Sequence, residues 1–290
     1  MSSSTVDLAP EQKPGRQPLP WSLWWRQIRA IFRLEVEKNF FGRRSILLYL
    51  LALLPVFPLV LLAPFTPPSR EWQDFNQYNM IFAIFYGGLI LRTVVFFGCA
   101  WIFMNLFRGD IIDRSLHFYF LSPVRREVLV VGKYVSGLAT SVILFTATTV
   151  VSMLLLYFPH FYSESTRYFL DGRGLGQLLT YAGITILACV GYGAFFLVVG
   201  LFFRNPIIPA IVLYGWEWLN FLMPPLLKKV SVIHYLNSLA PVPVSEGPFA
   251  VVAEPTPVWI AVPSLIVVTA LVLIVASYRI RHLEVRYGSD

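Results

Sequence analysis

Two ionisable side chains stand in the middle of long apolar runs. Arg92 lies at the centre of one and Glu217, in Trp216-Glu217-Trp218, at the centre of another. A charge near the middle of a bilayer costs roughly 2.5–3.5 kcal/mol on translocon scales, so each side chain calls for a partner or a wet cavity. Opposite signs at similar depth predict that Arg92 and Glu217 pair, within one chain or across a dimer. The pair would border a translocation path or act as a structural ion pair that fixes helix packing. Asn220 follows Glu217 by three residues, shares its helix face and is expected to hydrogen-bond inside the bundle. Glu217 also admits a second chemistry, since an intramembrane carboxylate can titrate as a relay in an ion- or proton-coupled carrier.

Catalytic constellations are weak by comparison. The four histidines, His117, His160, His234 and His282, have no H-E-x-x-H or paired metal spacing, so no metal site is expected. Ser163, Glu164 and His160 lack the G-x-S-x-G context of a hydrolase. Gly172-Arg173-Gly174-Leu175-Gly176 follows no strand and reads as a loop or helix start. Gly132-Lys133 precedes Tyr134 and lacks the earlier glycine of a phosphate-binding loop, so ATP hydrolysis by that route is excluded. Cys99 and Cys189 sit in apolar stretches and read as small hydrophobes. No catalytic residue and no bound cofactor are expected of the chain itself.

The elements that position Arg92 and Glu217 follow from composition. The 290 residues are 57% hydrophobic and 13% charged, about half the charge of a soluble protein. Six stretches are long enough for a helix to cross the hydrocarbon core, which takes roughly 20 apolar residues. They predict an all-α polytopic membrane protein with spans over 45–64, 80–106, 134–158, 175–203, 207–227 and 258–278. Residues 1–20, rich in Ser, Pro and Gln, are expected to form a disordered tail with no cleavable signal peptide, and 279–290 a cytoplasmic tail. Over 21–44, Trp24, Trp25, Ile28, Ile31, Phe32 and Val36 recur at helical spacing opposite Arg26, Arg29, Arg33 and Glu37. This is the pattern of a basic amphipathic helix lying in the membrane interface.

Six spans put both termini on one side. With an inside amino terminus, seventeen Lys and Arg fall on the cytoplasmic side and five outside, the orientation that basic residues in short loops impose. A plasma or inner membrane is the expected location. The net charge of +7 flanks the spans and forms no dense patch, so nucleic acid is not an expected partner. The link Arg204-Asn205-Pro206 is so short that spans four and five are expected to be antiparallel neighbours. Small residues in spans two and four (Gly87, Gly88, Gly98, Gly183, Cys189, Gly191, Gly193, Gly200) should allow close helix approach.

The segment joining spans two and three, FRGDIIDRSLHFYFLSPVRREVLVVGKY (107–134), holds a short amphipathic helix over 108–121. Asp110 and Asp113 lie near its start, and Ile111, Ile112, Leu116, Tyr119 and Phe120 form its apolar face. Ser122-Pro123 then resets the chain and enters the next helix. Such a segment is an ordinary loop on lipid headgroups or a docking surface.

An amphipathic helix leading through FFGRR into six spans, with D-x-x-D-x-S-L…L-S-P-V-R-R-E-V-L-V-V-G-K between the second and third, resembles the type-2 ABC exporter permeases. LLKKVSVIHYLNSLAPVPV (226–244) is similar to the outer stretch between that family's last two spans. The resemblance runs from about Trp21 to Arg286. It implies that 21–44 is a connecting helix and 108–121 a coupling helix, both docking on a nucleotide-binding ATPase subunit that holds ATP and Mg. Asp110, Asp113, Arg114, His117 and Arg125 are the contacts it implies, and a second permease protomer, identical or not, would complete the core. Arg92 and Glu217 match no general motif of the family. An apolar path with few polar groups leans toward a lipid-like or amphipathic substrate. The competing readings are the gradient-driven carrier and a non-transporting membrane scaffold anchored through 107–133.

Overall fold

The periodicity over 21–44 becomes helix α1 (Trp21–Phe41) in a computed structural model. The structure describes residues 21–43, 45–62, 72–112, 125–157, 173–203, 205–244 and 254–281, with the side chains of 62, 72–76, 111–112 and 281 outside that description. Ile31 and Glu35 are the buried residues of α1. Trp21, Trp25, Leu34 and Phe41 are exposed on its flanks, and Arg26, Arg29 and Arg33 on its outer side. Apolar flanks beside a basic outer stripe are what a helix at a bilayer surface requires.

Helices α2 (Ser45–Leu53) and α3 (Val56–Leu62) follow. The next run is continuous through α4 (Trp72–Phe85), a π-helical stretch (Tyr86–Val95) and α5 (Phe96–Ile112). Then come α6 (Arg126–Tyr157), α7 (Arg173–Phe202) and α8 (Ile207–Trp218). A 3-10 turn (Leu219–Leu222), two short helices α9 (Pro225–Lys228) and α10 (Val232–Ser238), and α11 (Val258–Arg281) complete the described chain. All the regular structure among the described residues is helical.

Among the described residues, four helices are long and apolar enough to cross a membrane: Gln77–Asp110, Arg126–Tyr157, Arg173–Phe202 and Val258–Ile280. The first and fifth expected spans differ from the sequence reading. The first breaks at Leu54-Pro55, where proline has no N–H for the ladder. Pro58 is tolerated because it falls in the first turn of α3, whose N–H groups have no intrahelical partners anyway. The fifth ends early: Ile207–Leu222 is a shorter apolar helix, and Met223 turns extended (φ −79°, ψ 150°) before Pro224 and Pro225, the conformation that a following proline favours.

α7 is the most enclosed of the long helices and α11 the least. Phenylalanine rings fill notches that glycines leave: Phe145 lies against Gly98, and Phe103 lies where a Cβ on Gly137 or Gly193 would sit 2.9 or 2.5 Å from its ring. Tyr214 of α8 stacks near Phe96 and Phe97, with centroids 5.3 and 4.7 Å away. The small residues named from the sequence divide into two groups. Gly98, Gly191, Gly193 and Gly200 meet neighbouring helices, whereas Gly87, Gly88 and Gly183 face open space.

A Cβ at Gly200 would lie 2.9 Å from the backbone of Met104, which cannot rotate away. Gly200→Ala should therefore cost about 1–3 kcal/mol through overpacking. Gly183→Ala should be neutral or stabilise by up to about 1 kcal/mol, from helix propensity alone. Thermal unfolding of both variants in detergent, followed by helical circular dichroism, measures the contrast; equal shifts would contradict the packing.

Candidate functional site

The Glu35 carboxylate lies on the same stripe of α1 as Ile28 and Ile31, so it is carried into the protein with them. There it meets Lys133, which is fully buried near the start of α6. Lys133 Nζ donates to Glu35 Oε1 at 2.5 Å, to Asp110 Oδ2 at 2.6 Å and to the Leu106 carbonyl at 2.6 Å. Its ammonium also lies 5.3 Å from the Phe107 ring centroid. Lys38, half-exposed, reaches Asp110 Oδ1 at 3.3 Å and Glu35 Oε1 at 3.9 Å. Two carboxylates and two ammoniums thus join α1, the last turns of α5 and the start of α6. A buried cation holds its charge when its donors are satisfied and its partners carry the opposite sign. Gly132 permits the approach of α1: a Cβ there would sit 3.1 Å from Ile31 Cγ2.

Further basic groups fasten the same end of the bundle. Arg125, exposed before α6, places its guanidinium 4.9 Å from the Trp24 ring centroid, within cation–π range. Arg126 donates to the Ile280 carbonyl at 3.1 Å, a cation at the C-terminal end of α11, where the helix dipole favours it. Arg279 stands 5.2 Å from the Phe202 ring, linking α11 to the end of α7.

Asp110 is corrected by this geometry. The resemblance implies an outward docking contact, but the carboxylate is buried and taken up by Lys133 and Lys38. Arg108 to Ile112 are the last turns of α5, not a separate element. Asp113, Arg114 and His117, and the rest of the coupling helix expected over 108–121, lie outside the described residues.

At the opposite end, α8 carries Glu217 into a buried position, where it accepts four hydrogen bonds. The donors are Ser231 Oγ at 2.8 Å, Ile233 N at 2.9 Å, Val232 N at 3.1 Å and Tyr192 Oη at 3.2 Å. Ser231 occupies the N-cap of α10 yet makes no side-chain cap of its own; Glu217 supplies the acceptor instead. The carboxylate thus anchors a folded-back segment through these four donors. Arg92 is half-buried in the π-helical stretch. Asn220 is buried and its Nδ2 donates to the Lys228 carbonyl at 3.4 Å, as its face position predicts. His234 Nε2 and Thr256 Oγ1 lie 3.2 Å apart, and Thr256 N donates to Ser238 Oγ at 3.1 Å, pinning the entry to α11.

Within the long helices a hydroxyl chain runs from Tyr86 to Thr185 at 3.0 Å and on to Thr149 at 3.1 Å. Tyr157 bonds Asn79. These contacts, with Glu35, Lys38 and Lys133, escape a reading that looks for charges inside spans. A charge interrupting the apolar stripe of α1 was the available signal for Glu35.

The described residues thus form an all-helical structure with four helices long and apolar enough to cross a membrane, tied at one end by a buried ion cluster. No protein-family model, no curated protein and no solved structure matches it.

Proposed function

We propose that the chain is the membrane subunit of an ATP-driven type-2 ABC exporter, moving a hydrophobic or amphipathic substrate with energy from a separate ATPase subunit. The observation that carries this reading is the Lys133 cluster. It couples a basic amphipathic helix to two long helices where α5 ends and α6 begins. Force applied to α1 would reach both helices through charge-assisted bonds in place of a soft loop. In this reading α2–α3 and α8 cross the bilayer as interrupted spans, giving six crossings with both termini cytoplasmic in a plasma or inner membrane. A second protomer completes the path, and the partner ATPase binds ATP and Mg. The exposed Arg26, Arg29, Arg33 and Arg125 offer the docking face, since Asp110 is already engaged. Glu217, held by four donors, has the setting of an anchor, which weighs against a gradient-driven carrier built on its titration.

The test is a pull-down of the full chain in mild detergent, with mass spectrometry and an ATPase assay of what co-purifies. A stoichiometric ATPase lost on combined Arg26→Glu and Arg29→Glu replacement is the expected result. An intact chain that brings down no ATPase would overturn the reading.

A further inference from the structure

Between α1, the first turn of α2 and the end of α5, the ion cluster opens into a cleft of about 60 Å³. A bound water needs about 10–15 Å³ of such space, so the cleft can take a small polar headgroup. Its wall includes Glu35, Lys38, Asn39, Ser45, Trp101 and Asp110. Ser45 Oγ and Asn105 Nδ2 are engaged by the carbonyls of Gly42 and Trp101, at 2.6 and 2.7 Å. Asn39 Nδ2 differs: it is buried with no hydrogen-bond partner among the described residues. A buried donor without an acceptor is costly and marks a place where a ligand or water belongs.

The charges around the cleft restrict what that ligand is. Glu35 and Asp110 face Lys38 and Lys133, so the formal charges cancel. The wall itself presents the Glu35 and Asp110 carboxylates and the Lys38 ammonium, with Lys133 buried behind them; a bare phosphate would meet two carboxylates and a bare cation the Lys38 ammonium, whereas a group bearing both signs can set each charge against its opposite. The Lys38–Asp110 contact, at 3.3 Å with the Lys38 side chain 53% exposed, is the loose edge of the cluster. A zwitterion inserted there replaces one half-solvated ion pair by two charge-assisted contacts. Alongside the cleft, α2 exposes Ile46, Leu47 and Leu50, an apolar surface suited to acyl chains.

We infer that this cleft seats the headgroup of a zwitterionic aminophospholipid. The phosphate accepts from Lys38 Nζ and Asn39 Nδ2, and the primary ammonium donates to the Asp110 carboxylate. The site rests on the proposed reading only in requiring α1 to lie at the inner membrane surface. A trimethylated headgroup has no N–H to donate to Asp110, and an anionic glycerol headgroup has no cation to offer.

The full chain reconstituted in nanodiscs of phosphatidylethanolamine, phosphatidylcholine or phosphatidylglycerol, then released for native mass spectrometry, measures retained lipid directly. One phosphatidylethanolamine should be retained about tenfold over either competitor, and Asn39→Leu should lower its retention about tenfold, the scale of one charge-assisted bond. Asn39→Asp, nearly isosteric, should repel the phosphate and act alike, which guards against a folding defect in the leucine variant. Equal retention of the three lipids, preference for phosphatidylglycerol, or indifference to both variants would overturn the site. Equal occupancy by soluble glycerophosphoethanolamine would overturn its assignment to lipid. Retained lipid without a co-purifying ATPase refutes the exporter alone, and the converse refutes the cleft alone.

Discussion

Lys133→Met should lower the unfolding free energy by about 3–5 kcal/mol, the cost of removing one partner from a buried ion pair. The substitution leaves Glu35 and Asp110 buried and facing each other across the space the ammonium held, while Lys38 is too exposed to replace it. The carbonyl of Leu106 loses its donor as well. Neutralising the whole group, with Glu35→Gln, Asp110→Asn and Lys133→Met together, should recover most of the loss, because no uncompensated charge then remains. Thermal unfolding in detergent gives the comparison. A single variant as stable as the native chain would mean that the cluster does not hold α1 to the bundle. The combined variant also tests the proposed exporter: if such a partner ATPase binds and the cluster transmits force, the variant should keep the partner yet lose coupling between substrate and hydrolysis.

The long helices were legible because their cause is repetitive. Some twenty apolar residues in a row favour a helix, and 258–278 lies within α11, 175–203 within α7 but for its last residue, and 134–157 within α6. The same reasoning overruns at proline: 45–64 and, but for Glu217 and Asn220, 207–227 are predominantly apolar, yet Pro55 and the Pro224-Pro225 pair stop the ladder inside them. The site was less legible, for a physical reason. Arg92 and Glu217 stand out by depth, but a charge chooses its partner through tertiary geometry, and the backbone N–H groups that hold Glu217 carry no sequence signature. Lys133 was hidden differently. Its neighbours made it read as loop, and only the continuation of α6 back to Arg126 turns it inward. Asp110 shows the converse error, a carboxylate assigned outward by resemblance and drawn inward by a lysine twenty-three residues on.

Exchanging the two intramembrane charges, Arg92→Glu with Glu217→Arg, should fail to restore what Glu217→Arg alone destroys. A simple ion pair is symmetric under exchange, but the setting of Glu217 is not. Three of its four donors, Ser231 Oγ and the N–H groups of Val232 and Ile233, come from the start of α10, and the fourth is Tyr192. An arginine there offers donors to donors. Glu217→Leu should be damaging for the same reason, at about 3–5 kcal/mol, since several buried donors are orphaned together at roughly 1–3 kcal/mol each and share the loss as neighbours. Glu217→Gln retains one acceptor oxygen and should cost less, about 1–2 kcal/mol. Hydrogen exchange localises the effect: the amides of 232–238 should lose protection in Glu217→Leu before those of α6 or α7 do. Rescue by the charge exchange would instead establish Arg92 as the direct partner. Without the carboxylate, α10 has no cap, and the folded-back segment between α8 and α11 loses the bond that fixes its register against Tyr192.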